Sequence, residues 1–299
     1  METLVTRHAA AIERALDGLA QWFEPRSTRP AILARAALGR ALPDDASFTE
    51  RNIAQLRAET RMDGSVRGDL VATAWRAVEL IDLGHGPDQA GTVRVVGYLL
   101  ARQDEPGAYG KDVARPEHAG QGLSGFFSPG AIGEQLAPLI FPTGAVFTEE
   151  ADARYAASCL ALRAALKAHQ EKRPQVQAHV ASLASLAADW GKAAMPVTLA
   201  CSTLHGLALS LPPERDALPG LVERIAKAQQ DGAWPDVDLF HALQALLAVP
   251  DAAATEVIAR AVPVLLSLQA ADGGFGGVGS VAEERGWIAV RALVRAGRK

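Results

Sequence analysis

A short phrase occurs three times in this chain: an apolar helical stretch ends in Gln, and a glycine and an aromatic residue follow within a few positions. The three copies are residues 99–109, 225–234 and 265–275. Their glycines, Gly107, Gly232 and Gly273, are separated by 125 and 41 residues, so the longer gap is close to three times the shorter. A unit that recurs at this interval predicts stacked helix pairs that close on a common core.

Two weaker copies fit the same period. Gly64 precedes Gly107 by 43 residues, and Gly191 precedes Gly232 by 41 residues. Abundant Ala, Leu and Arg, with few alternating β-branched runs, predict a nearly all-helical chain. Twelve helices, or six pairs, are expected over residues 2–23, 29–41, 48–58, 68–82, 88–102, 151–168, 174–188, 195–210, 218–229, 237–248, 253–268 and 281–296.

The composition is that of a well-packed globular protein, with 49% hydrophobic and 21% charged residues. The net charge of −4, with lysines and arginines spread along the chain, argues against a nucleic-acid partner. The N-terminal residues lack a basic segment followed by an apolar core, and no apolar run is long enough to span a bilayer. We therefore expect a cytoplasmic protein without a transmembrane segment.

Residues 104–150 break the helical rhythm and are expected to form a long inserted loop. A loop of this length in a compact array is typical of functional or mobile segments. Its glycines lack the preceding strand and the Gly-Lys-Ser/Thr ending of a phosphate loop. The adjacent Phe126 and Phe127 fit either of two roles, capping an apolar cavity or anchoring the loop to the core.

The repeated phrase is itself typical of a structural device. The side-chain amide of Gln103, Gln229 or Gln269 can both donate and accept, so it can satisfy backbone groups left open at helix ends. Glycine permits the turn, and the aromatic residue packs over it. We therefore expect these glutamines, and the aromatic residues that follow them, to hold neighbouring helices together rather than to catalyse a reaction.

This phrase resembles the glutamine-tryptophan repeat of the squalene-hopene and oxidosqualene cyclases, and the related repeat of the protein prenyltransferase β subunits. Over most of the chain the resemblance is in the period of the repeat, and the motif itself is most similar between residues 225 and 276. It implies an all-α fold, an α/α toroid in which six inner helices are ringed by six outer helices around a central cavity. The chain has residues for a single such domain, 1–299.

A candidate acid follows the second copy of the phrase, in the sequence Asp236-Val237-Asp238-Leu239. In class II terpene cyclases this place holds Asp-x-Asp-Asp, whose central Asp protonates an alkene or epoxide to start a carbocation cascade. The resemblance implies that Asp238 is the acid and that Asp236 matches the first motif position. His241 lies three residues further on, on the same helical face, and could hydrogen-bond Asp238. Leu239 replaces the last carboxylate of the motif.

Both aspartates also fit a purely structural role, because Asp is a preferred N-cap residue and interacts well with the helix dipole. Other acids occupy similar places at the heads of proposed inner helices, namely Asp69, Asp152 and Glu283 or Glu284. In a toroid these acids would converge at one end of the barrel, so Asp69 and Glu284 are candidates for substrate contact. The expected walls and lid of the cavity are Tyr109, Phe126, Phe127 and Trp234. Trp75 fits either a cavity wall or ordinary core.

Neither a metal nor a cofactor is expected. The prenyltransferase zinc site uses an Asp, a nearby Cys and a more distant His, and the chain has no Asp-x-Cys. Cys201 and His205 lie four residues apart and could share a metal on one helix face, but the sequence offers them no third ligand. Cys159 and Cys201 fit buried thiols in apolar helices.

The sequence leads to hypotheses of two classes. The first is a terpene-cyclase-like enzyme of bacterial secondary metabolism, which binds a small substrate in the toroid cavity and promotes ring closure or a related elimination by acid-base catalysis. The second is a non-catalytic toroid that binds a ligand or a partner protein, with a subunit of a heteromeric, non-terpenoid ring-forming enzyme as a variant. A pocket of about 300 Å³ or more, the usual size of a ligand site, bears on the choice.

Overall fold

The computed structural model describes residues 4–101, 136–189 and 196–297. Each α-helix in these ranges overlaps one of the helices predicted from the sequence, with ends that differ by four residues or fewer, and this confirms the expected helical class. The helices are α1 (Leu4–Phe23), α2 (Arg29–Ala37), α3 (Asp45–Ala58), α4 (Leu70–Asp82), α5 (Ala90–Ala101), α6 (Glu150–Lys167), α7 (Pro174–Asp189), α8 (Val197–Leu207), α9 (Leu218–Lys227), α10 (Leu239–Leu247), α11 (Ala252–Ser267) and α12 (Ser280–Gly297). A 3₁₀ turn, Glu214–Ala217, precedes α9.

Several residues of the sequence predictions lie outside the described ranges. They are Gln103, Gly107, Tyr109, Phe126, Phe127 and Gly191. Their proposed roles in the repeats and in the cavity lid therefore stay predictions. Within the described ranges, none of the helices combines the length and the apolar character needed to cross a membrane.

A small β-hairpin lies in the stretch where the sequence predicted a long loop. Its strands are β1 (Leu139–Ile140) and β2 (Val146–Phe147), paired antiparallel with Leu139 opposite Phe147. The rings of Phe141 and Phe147 lie 5.0 Å apart, and both side chains are buried. The last residues of the predicted loop thus have a regular structure anchored by aromatic side chains.

The chain divides into two compact units. Unit 1 comprises Met1–Asn52, Pro142–Ala145 and Val222–Lys299. In it, α12 packs against α1, α2, α10 and α11. Leu19, Phe23, Ile258 and Leu293 are fully buried there, so the first and last helices of the chain share one apolar core.

Unit 2 comprises Ile53–Phe141 and Val146–Leu221. Helix α6 is its centre and packs against α4, α5, α7 and α8. Most of α6 is buried, and much of it is alanine, which lets neighbouring helices approach closely. Gly206 on α8 shows how close: a Cβ there would lie 3.0 Å from the carbonyl oxygen of Cys159 on α6.

Three repeat glycines make one and the same packing contact. Gly64, Gly232 and Gly273 all have positive φ, at 92°, 86° and 89°. A Cβ on Gly64 would overlap the carbonyl oxygen of Arg94 in α5, and a Cβ on Gly232 would overlap that of Arg260 in α11. In both cases the contact is with the second helix after the glycine. Glycine is therefore required twice over, for its backbone conformation and for the absence of a side chain.

The last repeat makes this contact with the first helix of the chain. A Cβ on Gly273 would overlap the carbonyl oxygen of Gly18 in α1. The glutamines follow the same rule, because Gln229 Nε2 donates to Val257 O of α11 at 3.1 Å and Gln269 Nε2 donates to Ala15 O of α1 at 3.0 Å. For Gln229 and Gln269, the predicted role of holding neighbouring helices together is confirmed.

Candidate functional site

Asp238 is the N-cap of α10. Its Oδ1 accepts hydrogen bonds from the backbone amides of Phe240 and His241, both at 3.0 Å. Its Oδ2 accepts a third hydrogen bond, from Arg285 Nη2 at 2.9 Å. The side chain remains 23% exposed. Asp238 therefore satisfies two of the amides that a helix start leaves open, and it pairs with a cation at the same time.

Arg285 is the centre of this cluster, and the sequence did not single it out. Its Nε donates to Thr143 O at 2.8 Å, and its Nη1 donates to Gly276 O at 2.8 Å. Its guanidinium lies 5.0 Å from the centre of the Phe240 ring, a cation–π distance. Arg285 thus connects α12, residue 143, the loop after the third repeat and the start of α10.

These contacts define what Asp238 can do chemically. All three hydrogen bonds bring an N–H proton towards the carboxylate. A catalytic acid must instead hand a proton to its substrate, and the second carboxylate that would assist it is replaced by Leu239. The geometry is that of a helix cap with an ion-pair partner.

The other two members of the predicted catalytic group are placed differently. Asp236 is exposed, two residues ahead of the cap. His241 is buried, and the hydrogen bond that joins it to Asp238 comes from its backbone amide. A role for either in proton transfer stays a prediction.

Trp234, a predicted wall residue of the cavity, is the aromatic residue of the second copy of the phrase, and it has the contacts of a structural residue. Its indole Nε1 donates to Ile225 O at 2.7 Å, and the side chain is buried. Glu284, the predicted acid on α12, is also buried and forms a salt bridge with Arg29 of α2. Asp238, Trp234 and Glu284 all lie in unit 1.

The predicted contact residues Asp69 and Trp75 lie in unit 2. Asp69 is the N-cap of α4, and its Oδ1 accepts a hydrogen bond from the Ala72 amide at 2.6 Å. Trp75 is half-buried on the same helix. Asp152, near the start of α6, has its pKa raised by burial and by the neighbouring charge of Glu149.

Both cysteines are buried, as the sequence predicted. Burial raises the pKa of the Cys159 thiol and that of the Cys201 thiol, so both are held in the unreactive protonated form. In the part of the chain that the structure describes, no three His, Cys, Asp or Glu side chains are grouped closely enough to hold a metal ion.

A groove of about 460 Å³ lies in unit 2, and we call it the acidic groove. Its apolar lining includes Leu166 of α6, Val180 of α7 and Leu211 after α8. Leu166 and Val180 are buried, whereas Leu211 is 56% exposed. Glu171 and Glu214 add two carboxylates to the lining, and neither forms an ion pair with any described residue. No local sequence pattern indicates this groove, because its lining comes from separate segments of the chain.

Comparisons with known proteins bear on the fold. No family model matches the chain, and no curated protein sequence matches it. A protein from Actinoplanes, known from its crystal structure, has a similar fold with a TM-score of 0.56 and 14% sequence identity. The likeness covers 97% of this chain and 100% of that chain. The chain is therefore a mostly helical protein similar in fold to that bacterial protein.

Proposed function

We propose that this protein is a non-catalytic helical-repeat protein that binds a small amphipathic cation in the acidic groove. The observation that carries the proposal is the lining of that groove, in which apolar side chains accompany two carboxylates that no described cation neutralises. A ligand with an aliphatic body and an ammonium group would bury apolar surface and supply the missing positive charge.

The size of the groove supports this choice of ligand. At about 460 Å³ it falls within the range of roughly 300–1,000 Å³ that is usual for small-molecule sites. Of the lining residues that the structure describes, none is Lys, Arg or His. An anionic ligand would meet Glu171 and Glu214 with a charge of the same sign, which disfavours binding.

The finer architecture, an α/α toroid of six helix pairs, is part of the same proposal. It is supported by two close contacts of the repeat glycines: Gly232 packs against α11, and Gly273 packs against α1. For Gly273 that helix is α1, at the other end of the chain, as closure of a ring of repeats requires.

Binding of octylamine tests the proposed function, measured by calorimetry at low salt with octan-1-ol as the neutral analogue. We expect octylamine to bind more tightly than octan-1-ol. Replacing both carboxylates, as Glu171→Gln with Glu214→Gln, should weaken octylamine binding about tenfold, because two partly screened charge pairs are lost. The exposed Glu256→Gln on α11 is the matched control and should leave binding unchanged. Equal affinity for amine and alcohol would overturn the proposal.

The cyclase hypothesis is a second candidate, favoured by one observation. Asp238 is the N-cap of the helix that follows the second copy of the phrase, which is where the cyclase motif has its acid. Its side chain is partly exposed. Wild-type protein and Asp238→Asn should be incubated with squalene and with geranylgeranyl diphosphate, and the products analysed by mass spectrometry. A cyclised product from the wild type alone would establish the cyclase and remove the non-catalytic proposal.

A further inference from the structure

A second groove, of about 340 Å³, lies over the first turn of α5 in unit 2. We call it the basic groove, because Arg57 of α3 and Arg94 of α5 line it. Ala90 and Gly91, the first two residues of α5, form part of its floor. The described lining residues of the two grooves are different throughout.

The charged residues that the structure shows lining this groove are cationic, and Asp88, two residues before α5, is a carboxylate whose charge reaches His85. Arg57 and Arg94 are both exposed, and neither forms an ion pair with a described residue. None of the described residues that line the groove is acidic. The start of α5 adds to this field, because the first amides of a helix have no partner within it and carry the positive end of the helix dipole. The first turn of this 12-residue helix contains no acidic side chain to occupy them.

A buried histidine faces the floor of the groove. His85 is only 7% exposed, and its Nε2 has no hydrogen-bond partner among the described residues. A Cβ on Gly91 would stand 2.8 Å from this nitrogen and 3.2 Å from Arg57 Cγ. His85 Nε2 therefore lies close to Gly91 in the floor of the groove, and the stem of Arg57 approaches the same point. A buried nitrogen without a partner is unfavourable, and a ligand atom that pairs with it would remove that cost.

We propose that the basic groove binds the phosphate group of a small molecule. The guanidinium groups of Arg57 and Arg94 supply two charged donors, and the first amides of α5 supply backbone donors, as in other phosphate sites at helix starts. His85 Nε2 adds a donor from below once the stem of Arg57 has moved aside. The absence of a side chain at Gly91 lets His85 Nε2 and the stem of Arg57 approach the backbone at this point.

Free phosphate and a phosphate monoester share this chemistry, so both serve as probes. Binding of inorganic phosphate and of phenyl phosphate is measured by calorimetry at low ionic strength, with chloride as the reference anion. We expect both phosphates to bind and chloride not to. Tighter binding of phenyl phosphate would identify a phosphorylated small molecule as the ligand, and equal binding would identify the free anion.

Variants of the lining test the geometry. Arg57→Gln and Arg94→Gln should each weaken phosphate binding about tenfold, because each removes one charge-assisted hydrogen bond. Arg51→Gln, six residues before Arg57 on α3, is the matched control. Its guanidinium lies over the Phe48 ring, and the substitution should leave phosphate affinity unchanged. Because all three side chains are exposed, the variants should fold, which circular dichroism checks.

A spectroscopic readout separates a contact by His85 from general charge attraction. In the free protein, burial and then the charge of Arg57 lower the pKa of His85, while Asp88 opposes them. A bound phosphate next to Nε2 favours the imidazolium, so the His85 Cε1–H resonance should titrate at higher pH when phosphate is present. The proposal is overturned if phosphate leaves this titration unchanged, or if neither arginine variant alters phosphate affinity.

Discussion

Asp238 combines two structural contacts in one side chain, and their energies can be separated by substitution. Asp238→Ala removes both the helix cap and the pair with Arg285, so we expect a loss of about 1.5–2.5 kcal/mol in the free energy of unfolding. Asp238→Asn keeps an oxygen that can cap α10 and loses only the charge, so the loss should stay below about 1 kcal/mol. Urea unfolding measures both values.

The exposed Asp236 provides the matched control for this experiment. Asp236→Ala lies two residues from the cap, on a side chain that the structure places in solvent. We expect its effect to stay within about 0.5 kcal/mol. If Asp238→Ala were as harmless as Asp236→Ala, Asp238 would not be a stabilising cap, and its ion pair would contribute nothing measurable.

At this scale the sequence predicted the place of Asp238 but not its partner. The order of residues around it indicated a helix start, and both a cap and an acid fitted that position. The choice depends on Arg285, which lies 47 residues further along the chain. Arg285 also binds Thr143 O, in a stretch that the sequence assigned to a loop. Such contacts depend on the tertiary fold, so no local sequence pattern predicts them.

Two glycine substitutions test the repeat at the level of its helices. At Gly232, φ is 86° and an added Cβ would overlap the carbonyl oxygen of Arg260, so Gly232→Ala should cost about 2–4 kcal/mol of stability. Gly220 lies within α9, where an added Cβ would meet no atom within 4 Å. Gly220→Ala should therefore stabilise the protein by about 0.5–1 kcal/mol through helix propensity.

Thermal unfolding measures the change in stability of each variant, and we expect a loss for Gly232→Ala and a gain for Gly220→Ala. The two changes add the same methyl group, so a difference between them reports the position and not the chemistry. A mild effect of Gly232→Ala would mean that the turn relaxes readily, and the repeat glycine would then not be needed for helix contact.

The helices themselves were predictable because the period and the proline and glycine breaks mark them out. The sequence predicts that α3 starts at residue 48, whereas the helix begins three residues earlier, at Asp45. Asp45 binds the Leu42 amide at 2.9 Å and pairs with Arg35, and these contacts extend the helix backwards. The hairpin was missed because strands of two residues show no alternation for a pattern to detect.

At the scale of the whole molecule, the two grooves are the features that the sequence could not predict. Leu166 of α6, Val180 of α7 and Leu211 after α8 meet only once these segments have packed in unit 2. The same holds for Arg57 and Arg94, which lie on different helices. The period of a repeat predicts how its helices stack, while surface concavities depend on side chains that the repeat leaves free to vary.

The stability of the whole protein should depend on pH through a residue that no proposed site uses. His179 is completely buried on α7, and burial lowers its pKa well below the ordinary value. The folded protein therefore disfavours the imidazolium, which the unfolded chain accepts below a pH of about 6.5. His179 thus contributes stability above that pH, and this stability is lost as the pH falls below it, by at most about 1.4 kcal/mol per pH unit.

A pair of histidine variants isolates this contribution in urea unfolding between pH 7.5 and pH 5. His179→Gln should flatten the dependence of unfolding free energy on pH, because the variant has no group to protonate at this position. His169→Asn is the control: His169 is exposed, and asparagine tolerates its positive φ of 57°, so the slope should remain that of the wild type. Carboxylates such as Glu150, whose pKa is lowered despite burial by the amides of Ala137 and Leu136, contribute only at more acidic pH. An unchanged slope in His179→Gln would therefore place the acid sensitivity at another histidine.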